Sequence, residues 1–197
     1  MEPVRRDLPV SAPRPIDDDE AELLRRVAHK DRGAFELLYR SYYRRLTRFL
    51  EQLTRKPALI DEILDDTMLV VWQKAETFTG NSRVSTWMFA IAYRKAMKAL
   101  KRERPLEELT QHAHEPVSSQ SPETELLERE YRLALKRLLG VLSVEQRAVV
   151  ELTYYHGCSY KEIAAITGCP VNTVKTRMFH ARRKLRALLV GREEKFG

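Results

Sequence analysis

Residues 159–186 read SYKEIAAITGCPVNTVKTRMFHARRKLR, and this stretch decides the fold of the C-terminal part of the chain. A short amphipathic helix with Ile163 and Ile166 on its inner face leads through a turn at 168–170 into a longer helix. Small Ala164 at the crossing and a glycine at the turn let the two helices meet at a steep angle. The stretch therefore predicts a helix-turn-helix.

The longer helix is strongly basic. Between residues 171 and 190 it has no acid and six cations: Lys175, Arg177, Arg182, Arg183, Lys184 and Arg186. So many like charges on one helix repel one another unless they have a partner, and they suit the phosphates of nucleic acid. The alternative is a basic, solvated helix that closes a bundle. The coincidence of helix caps, turn and charge favours DNA binding.

The first half of this helix is expected to enter the major groove of DNA. The candidates for contact with base edges and thymine methyl groups are Lys175, Thr176, Phe179 and His180. The candidates for contact with phosphates are Arg177, Arg182 and Arg183, with Asn172 or Thr173 at the start of the helix. We expect Lys175 and Arg177 to lie together on an exposed basic face.

Helical periodicity extends through the rest of the chain as well. Before the helix-turn-helix, capping boxes at Ser143 and Ser159 predict two helix starts. Further upstream, apolar residues recur every three or four positions in four stretches, which begin at residues 20, 31, 57 and 82. With only 7 Gly and few alternating apolar runs, the sequence predicts an all-α protein.

The breaks in this pattern divide the chain into two small helical domains joined by a flexible linker. The predicted parts are a disordered tail at 1–19, a first domain at 20–104, the linker at 105–121, a second domain at 122–190 and a tail at 191–197. The first domain should end where Pro105 stops its last helix.

Composition narrows the classes of function. The net charge of +7 suits a polyanionic partner, either nucleic acid or an anionic membrane surface. His156, Cys158 and Cys169 lack the spacing of a zinc site, and no nucleophile–base set is visible, so we expect no metal, no cofactor and no catalytic residue. The absence of a membrane-spanning apolar run predicts a cytoplasmic protein without membrane insertion.

Four stretches together resemble a known family. The fourth conserved region of extracytoplasmic-function (ECF) sigma factors resembles residues 142–185, LSVEQRAVVELTYYHGCSYKEIAAITGCPVNTVKTRMFHARRKL. The second region resembles three stretches: residues 35–50 (FELLYRSYYRRLTRFL), 59–80 (LIDEILDDTMLVVWQKAETFTG) and 82–102 (SRVSTWMFAIAYRKAMKALKR). The order and spacing agree over about residues 20–190. The resemblance implies that the fourth region binds the promoter −35 element.

The resemblance also implies a docking helix for the β′ subunit of RNA polymerase. Its acids here are Asp61, Glu62, Asp65 and Asp66. A solvated outer face is the alternative for acids at this spacing. The sequence departs from the family in this helix, because a Gln-Glu pair is usual at Asp65-Asp66 and an aromatic residue at Met68.

A third implication is a site that reads the −10 element as a melted single strand. The matching polar and aromatic residues are Asn81, Ser82, Arg83, Ser85 and Trp87, and the helix behind them adds the cations Arg94, Lys95 and Lys98. A basic track beside polar groups and an aromatic ring suits capture of unpaired bases. Trp87 fits equally well as a plain core residue.

The sequence is thus interpreted as an ECF-type sigma factor. Its implied partners are core RNA polymerase through the β′ and β subunits, promoter DNA, and an anti-sigma protein such as those that inhibit many members of the family. A stand-alone helix-turn-helix regulator with an N-terminal dimerisation or sensing domain is the main alternative. A protein that binds membrane surfaces through its basic helices is the third.

Overall fold

The computed structural model describes residues 15–54, 56–107 and 140–193. Within these ranges the chain forms α-helices, one 3₁₀ helix at Ala75–Thr77 and no strand, which confirms the all-α prediction. The α-helices are α1 (Pro15–Ala28), α2 (Arg32–Leu53), α3 (Pro57–Lys74), α4 (Val84–Glu107), α5 (Val144–Tyr154), α6 (Tyr160–Thr167) and α7 (Val171–Glu193). Most of the predicted linker, residues 122–139 of the predicted second domain and the tail after 193 lie outside the described residues.

Helix α1 begins earlier than predicted. It starts at Pro15 instead of Glu20, so residues 15–19 of the predicted tail are helical, while residues 1–14 lie outside the described residues. A proline is well tolerated in the first turn of a helix, where its missing N–H has no acceptor.

Helices α2 and α3 follow the predicted pattern. The Asp31 carboxylate accepts a hydrogen bond from the Ala34 N–H at 3.0 Å, and this caps α2. The apolar spacing predicts a stripe on α2 of Phe35, Leu38, Tyr42, Leu46, Phe49 and Leu53, and all of them are buried except Phe35, which is half-buried. Beyond it, Tyr42 donates to the buried Glu20 carboxylate of α1, which fixes α1 on this surface.

Helix α4 ends later than the sequence predicted. Its backbone remains helical to Glu107 and so continues past Pro105, whereas the sequence predicted that the helix stops before this proline. A proline removes one N–H donor from a helix, and in the last turn this loss affects a single hydrogen bond. The difference is within one helical turn, which is the usual uncertainty of a helix boundary.

The C-terminal unit has the predicted helix-turn-helix. Ser143 and Ser159 both form complete capping boxes, with Gln146 and Glu162 respectively. Gly168 ends α6 in the left-handed conformation, at φ 65°, which a residue with a side chain rarely adopts. Ile163, Ile166, Val174 and Met178 are buried between α5, α6 and α7.

The two units pack against each other. Helix α2 packs on α5, and α4 packs on α6. The buried apolar side chains of both units form one continuous cluster, which joins Phe49 and Phe89 to Leu152 and Ile163. The sequence predicted two tethered domains, but it did not predict this interface.

Candidate nucleic-acid interface

Helix α7 has one buried face and one exposed face. Val174, Met178 and Ala181 are buried against α5 and α6. The opposite side is solvent-exposed and presents, at spacings of one and three residues, Asn172, Lys175, Thr176, Phe179, Arg182, Arg183 and Arg186. Phe179 is the most notable of them, since 62% of its surface is exposed. Below, this set of residues is called the α7 stripe.

The α7 stripe combines the groups that a major groove requires. Its cations can contact phosphates, while the Phe179 ring can contact a thymine methyl group. The Thr176 hydroxyl donates to the backbone carbonyl of Asn172 at 3.0 Å, which fixes the orientation of this hydroxyl on the helix. His180 is half-buried beside Phe179, with 5.5 Å between the ring centroids.

Arg177 is not on this stripe, and the prediction that it shares an exposed face with Lys175 is wrong. Arg177 follows the buried Val174 by three residues and precedes the buried Ala181 by four, so it lies at the edge of the buried face. Its Nη1 donates to the Cys169 sulfur at 3.5 Å. It also lies beside Tyr93 of α4, where its charge lowers the pKa of the hydroxyl against the larger, opposite effect of burial.

Thr173 and Arg182 also make specific contacts. The half-buried Thr173 N–H donates to the Pro170 carbonyl at 2.9 Å, so this donor is used in the turn. Arg182 Nε donates to the Tyr154 hydroxyl at 3.0 Å. The sequence analysis missed Tyr154. Its exposed aromatic ring at the end of α5, next to a second tyrosine, is the signal that could have identified it.

The predicted −10 site lies at the start of α4. Asn81 and Ser82 are exposed in the loop before the helix, while Ser85 is half-buried in its first turn. Trp87 is also half-buried, and its ring packs edge-on against Phe78 at 5.7 Å. Trp87 therefore joins the edge of the core and still keeps part of its surface accessible.

Arg83 and Lys95 of the same predicted site have carboxylate partners. Arg83 Nη1 lies 3.5 Å from Glu162 Oε1 of α6, and Lys95 Nζ lies 2.9 Å from Asp66 Oδ2 of α3. By contrast, Arg94 and Lys98 are exposed on α4. The basic track along α4 is thus partly neutralised by the acids of α3.

The four predicted docking acids divide into two pairs. Glu62 accepts from Arg102 at 3.0 Å and Asp66 pairs with Lys95, so these two acids face α4. Asp61 and Asp65 are exposed on the side of α2, where their charges, together with burial, raise the pKa of Tyr39. Glu62 and Asp66 are thus paired with cations of α4, whereas Asp61 and Asp65 lie beside Tyr39 of α2.

An aromatic ridge borders this pair and was missed by the sequence analysis. Tyr39 lies 5.8 Å from Tyr43 and 6.3 Å from Phe35 between ring centroids, and Phe35 meets Trp72 edge-on at 5.2 Å. Tyr43 and Leu37 are exposed large side chains on the same helix. The signal in the sequence was the presence of aromatic residues at positions outside the buried stripe of α2.

The potential metal ligands do not converge. Among the described residues, no three His, Cys, Asp or Glu side chains form a group that could hold a metal ion. His156 packs against Phe89, and burial lowers its pKa to about 4. Burial raises the pKa of Cys158 to about 12, so its thiol is protonated at neutral pH.

A separate observation concerns membranes: none of the helices within the described ranges has both the length and the apolar character needed to cross one.

Comparison with known proteins places these features in a family. The model of sigma-70 region 2 matches residues 38–105, and the model of sigma-70 region 4 matches residues 132–185. The chain is 30% identical over 171 residues to the ECF RNA polymerase sigma factor RpoE of Cereibacter sphaeroides, covering 85% of this chain and 93% of that protein. It is 32% identical over 175 residues to SigM of Mycobacterium tuberculosis, covering 86% and 84%.

Solved structures of similar proteins agree with these sequence matches. The sigma factor RpoE from Bartonella quintana, in complex with the anti-sigma factor NepR, aligns with a TM-score of 0.61 at 27% identity, covering 79% of this chain and 96% of that one. CnrH, in complex with the cytosolic domain of CnrY, shares the fold with a TM-score of 0.65 at 24% identity, covering 87% and 97%. The chain therefore belongs to the extracytoplasmic-function family of RNA polymerase sigma factors, which bring core RNA polymerase to promoter DNA.

Proposed function

We propose that the two units divide promoter recognition between them, with α7 on the −35 element and the start of α4 on the −10 element. The observation that carries this proposal is the α7 stripe, which presents four cations and an exposed aromatic ring on one side of the second helix of a helix-turn-helix. Such a helix, placed in the major groove, contacts base edges with its first turns and phosphates with its flanks.

The −10 role rests on the loop before α4. Asn81 and Ser82 are exposed polar residues, and Trp87 offers part of its ring next to them. Exposed Arg94 and Lys98 continue along α4 as a path for the phosphates of a single strand. The polymerase supplies the chemistry of RNA synthesis, and this chain supplies recognition without a catalytic group of its own.

The proposed docking site for core polymerase is the acidic pair Asp61 and Asp65 with the neighbouring ridge at Tyr39 and Tyr43. Acids beside exposed aromatic rings suit a basic, amphipathic partner helix, which would meet charge and apolar surface together. We assign this site to the β′ subunit of core polymerase, as the resemblance to the family implies. Function with core polymerase places the protein in the cytoplasm.

An anti-sigma protein is a further proposed partner. Support comes from the solved RpoE of Bartonella quintana, which is 27% identical and was captured with the anti-sigma factor NepR. A stand-alone regulator is less well supported, because regions 2 and 4 both match here and in the order found in sigma factors.

The experiment that tests the proposal is run-off transcription with purified core polymerase on a genomic DNA library, with parent and Lys175→Ala. Lys175 is exposed on the stripe and is a candidate for contact with a base edge, so its loss should weaken promoter binding by about 1–3 kcal/mol, lower transcription and relax the preference at one position of the −35 element. Lys74→Ala removes the same charge from an exposed site at the end of α3 and serves as the control. Equal transcription by parent and Lys175→Ala at moderate salt would contradict the role of the stripe.

A further inference from the structure

Lys30, between α1 and α2, has a backbone conformation that favours glycine. Its φ is 64°, and in the part of the chain that the structure describes no other residue with a side chain has a positive φ. In this conformation the Cβ atom comes close to the carbonyl oxygen that follows it, which raises the energy of the backbone. A lysine at this position therefore calls for a compensating interaction.

The turn itself does not require a lysine. The Lys30 N–H donates to the Val27 carbonyl at 2.8 Å, and the Asp31 N–H donates to the Arg26 carbonyl at 3.1 Å. These are the two hydrogen bonds of a Schellman motif, in which the left-handed residue is usually glycine. Both bonds join backbone atoms, so a glycine at position 30 would keep them and would relax the strain.

The Lys30 side chain contacts the end of α3. Its Nζ donates to the Trp72 carbonyl at 3.0 Å and lies 5.6 Å from the centroid of the Trp72 ring. The last carbonyls of a helix lack N–H donors within the helix, and a cation near them is stabilised by the helix dipole. The indole ring adds a cation–π attraction. These contacts, which we call the Lys30 clamp, tie the turn after α1 to the last turn of α3.

The Lys30 clamp lies just before the proposed −10 site. Helix α3 ends at Lys74 and is followed by the 3₁₀ helix at Ala75–Thr77 and by the loop at 78–83, which we call the −10 loop. Helix α1 packs against the 3₁₀ helix, and Ala75 is buried. At the start of the loop, the Phe78 N–H donates to the Ala75 carbonyl at 3.1 Å. The course of the −10 loop therefore depends on where α3 ends.

Contacts at its two ends hold the −10 loop. Phe78 packs edge-on against Trp87 of α4, with 5.7 Å between the ring centroids, and the Lys30 clamp fixes the helix before the loop. Asn81 and Ser82 lie exposed between these ends. An exposed loop is preorganised for base capture only if its ends are fixed, because otherwise binding must also order the loop.

We propose that Lys30 is a positioning residue for the −10 loop, because its ammonium holds the last turn of α3, from which the loop starts. The inference rests on the proposed function, since it takes Asn81 and Ser82 as residues that capture the melted strand. A strained backbone persists where the surrounding structure depends on the residue. The Lys30 clamp supplies that dependence, since a glycine would relax the turn but would leave the Trp72 carbonyl without this donor.

Hydrogen exchange of the free full chain, measured by mass spectrometry, tests the clamp directly. Lys30→Gly removes the side chain and relaxes the turn, whereas Lys30→Met keeps the aliphatic stem and removes the charge. In both variants the amides of residues 73–78 should exchange about fivefold faster, as expected for the net loss of one hydrogen bond. Lys30→Arg keeps a cation that can donate to the same carbonyl, so it should exchange like the parent. The amides of α2 should be unchanged in every variant.

Open-complex formation by holoenzyme tests the effect on the promoter. On a promoter obtained by run-off transcription, Lys30→Gly and Lys30→Met should give about two- to fivefold less permanganate reactivity in the −10 region, because part of the binding free energy then goes into ordering the loop. Lys30→Arg should match the parent. Lys74→Met is the matched control, since it removes the same charge from an exposed side chain at the end of α3.

Any of three results would overturn the proposal: unchanged exchange at 73–78 in Lys30→Gly and Lys30→Met, faster exchange that extends equally over α2, or open complexes that both variants form as readily as the parent. The second result would show that Lys30 stabilises the fold as a whole and does not position the loop. A parent holoenzyme that opens no promoter would refute the proposed function and with it the role of the loop, whereas the exchange rates would still show whether Lys30 holds the end of α3.

Discussion

Arg182 of α7 donates from Nε to the hydroxyl of Tyr154, the last residue of α5, at 3.0 Å. This hydrogen bond holds a cation of the α7 stripe in one orientation. Because a guanidinium has several donors, Arg182 can keep this contact and still bind a phosphate with its remaining N–H groups. Tyr154 is thereby a positioning residue for the −35 interface.

Removal of the Tyr154 hydroxyl tests whether its hydrogen bond with Arg182 contributes to DNA binding. Tyr154→Phe should weaken binding of holoenzyme to −35 duplex about two- to fivefold, because Arg182 would have to be ordered on binding. Binding is measured by fluorescence anisotropy at two salt concentrations. Tyr155→Phe provides the control, since this neighbouring exposed tyrosine keeps its ring against Arg48. Equal affinities of the two variants would remove Tyr154 from the interface.

Polymerase docking is tested at Asp61 and Asp65, the acids of α3 that lie beside Tyr39. Asp61→Lys with Asp65→Lys should abolish co-purification with core polymerase while circular dichroism stays helical, because both acids are exposed on α3. Charge reversal at a close contact replaces attraction with repulsion of several kcal/mol.

Glu76→Lys reverses an exposed acid in the 3₁₀ helix after α3 and should keep core binding. If the Asp61 and Asp65 double variant also co-purifies with core polymerase, the docking surface lies elsewhere.

Much of the fold follows directly from local patterns in the sequence. The two capping boxes, the left-handed Gly168 and the buried stripe of α2 depend on residues within one or two helical turns, so their spacing is enough to predict them. The position of Arg177 was also within reach of this reasoning, because its spacing from Val174 places it beside the buried face.

The contacts between the units were not predictable in this way. The pair Arg48–Glu151 joins residues that lie far apart in the chain, and neither residue departs from the pattern of an ordinary exposed helix position. The division of the acids on α3 likewise depends on Lys95 and Arg102 of another helix. Such contacts depend on how the helices pack against one another, and the apolar spacing along a single helix does not predict them.

The interface should respond to acid through His156. With the two units in contact, burial and the nearby charges of Arg45 and Arg48 lower the pKa of His156 to about 4, whereas the pKa of an exposed histidine is near 6.5. We call the chain closed when its two units are in contact and open when they are apart. As the pH falls below 6.5, His156 of the open form therefore takes up a proton that the closed form excludes. At pH 5.5 the equilibrium should shift about tenfold toward the open form relative to pH 7.5.

Scattering from the free protein at the two pH values measures this shift, with His156→Phe as the comparison. Phenylalanine keeps an aromatic ring against Phe49 and Phe89 but cannot titrate, so the response assigned to His156 should disappear. Glu151 acts in the opposite direction, because burial raises its pKa, but it is present in both proteins and cancels in their difference. An identical pH response of the two proteins would show that His156 does not control opening.

The central claim, that this chain is a sigma factor which captures a melted promoter strand, is tested most directly by permanganate footprinting of holoenzyme with Asn81→Ala and Arg83→Ala combined. Flipping a base out of the stack costs a few kcal/mol, which contacts in this loop must offset. On duplex promoter DNA the variant should bind but open the −10 region poorly. A template melted in advance across that region should restore most of the run-off transcript. Open complexes that form on duplex DNA equally well with parent and variant would contradict the role of the loop, and opening by core polymerase without this chain would contradict the claim itself.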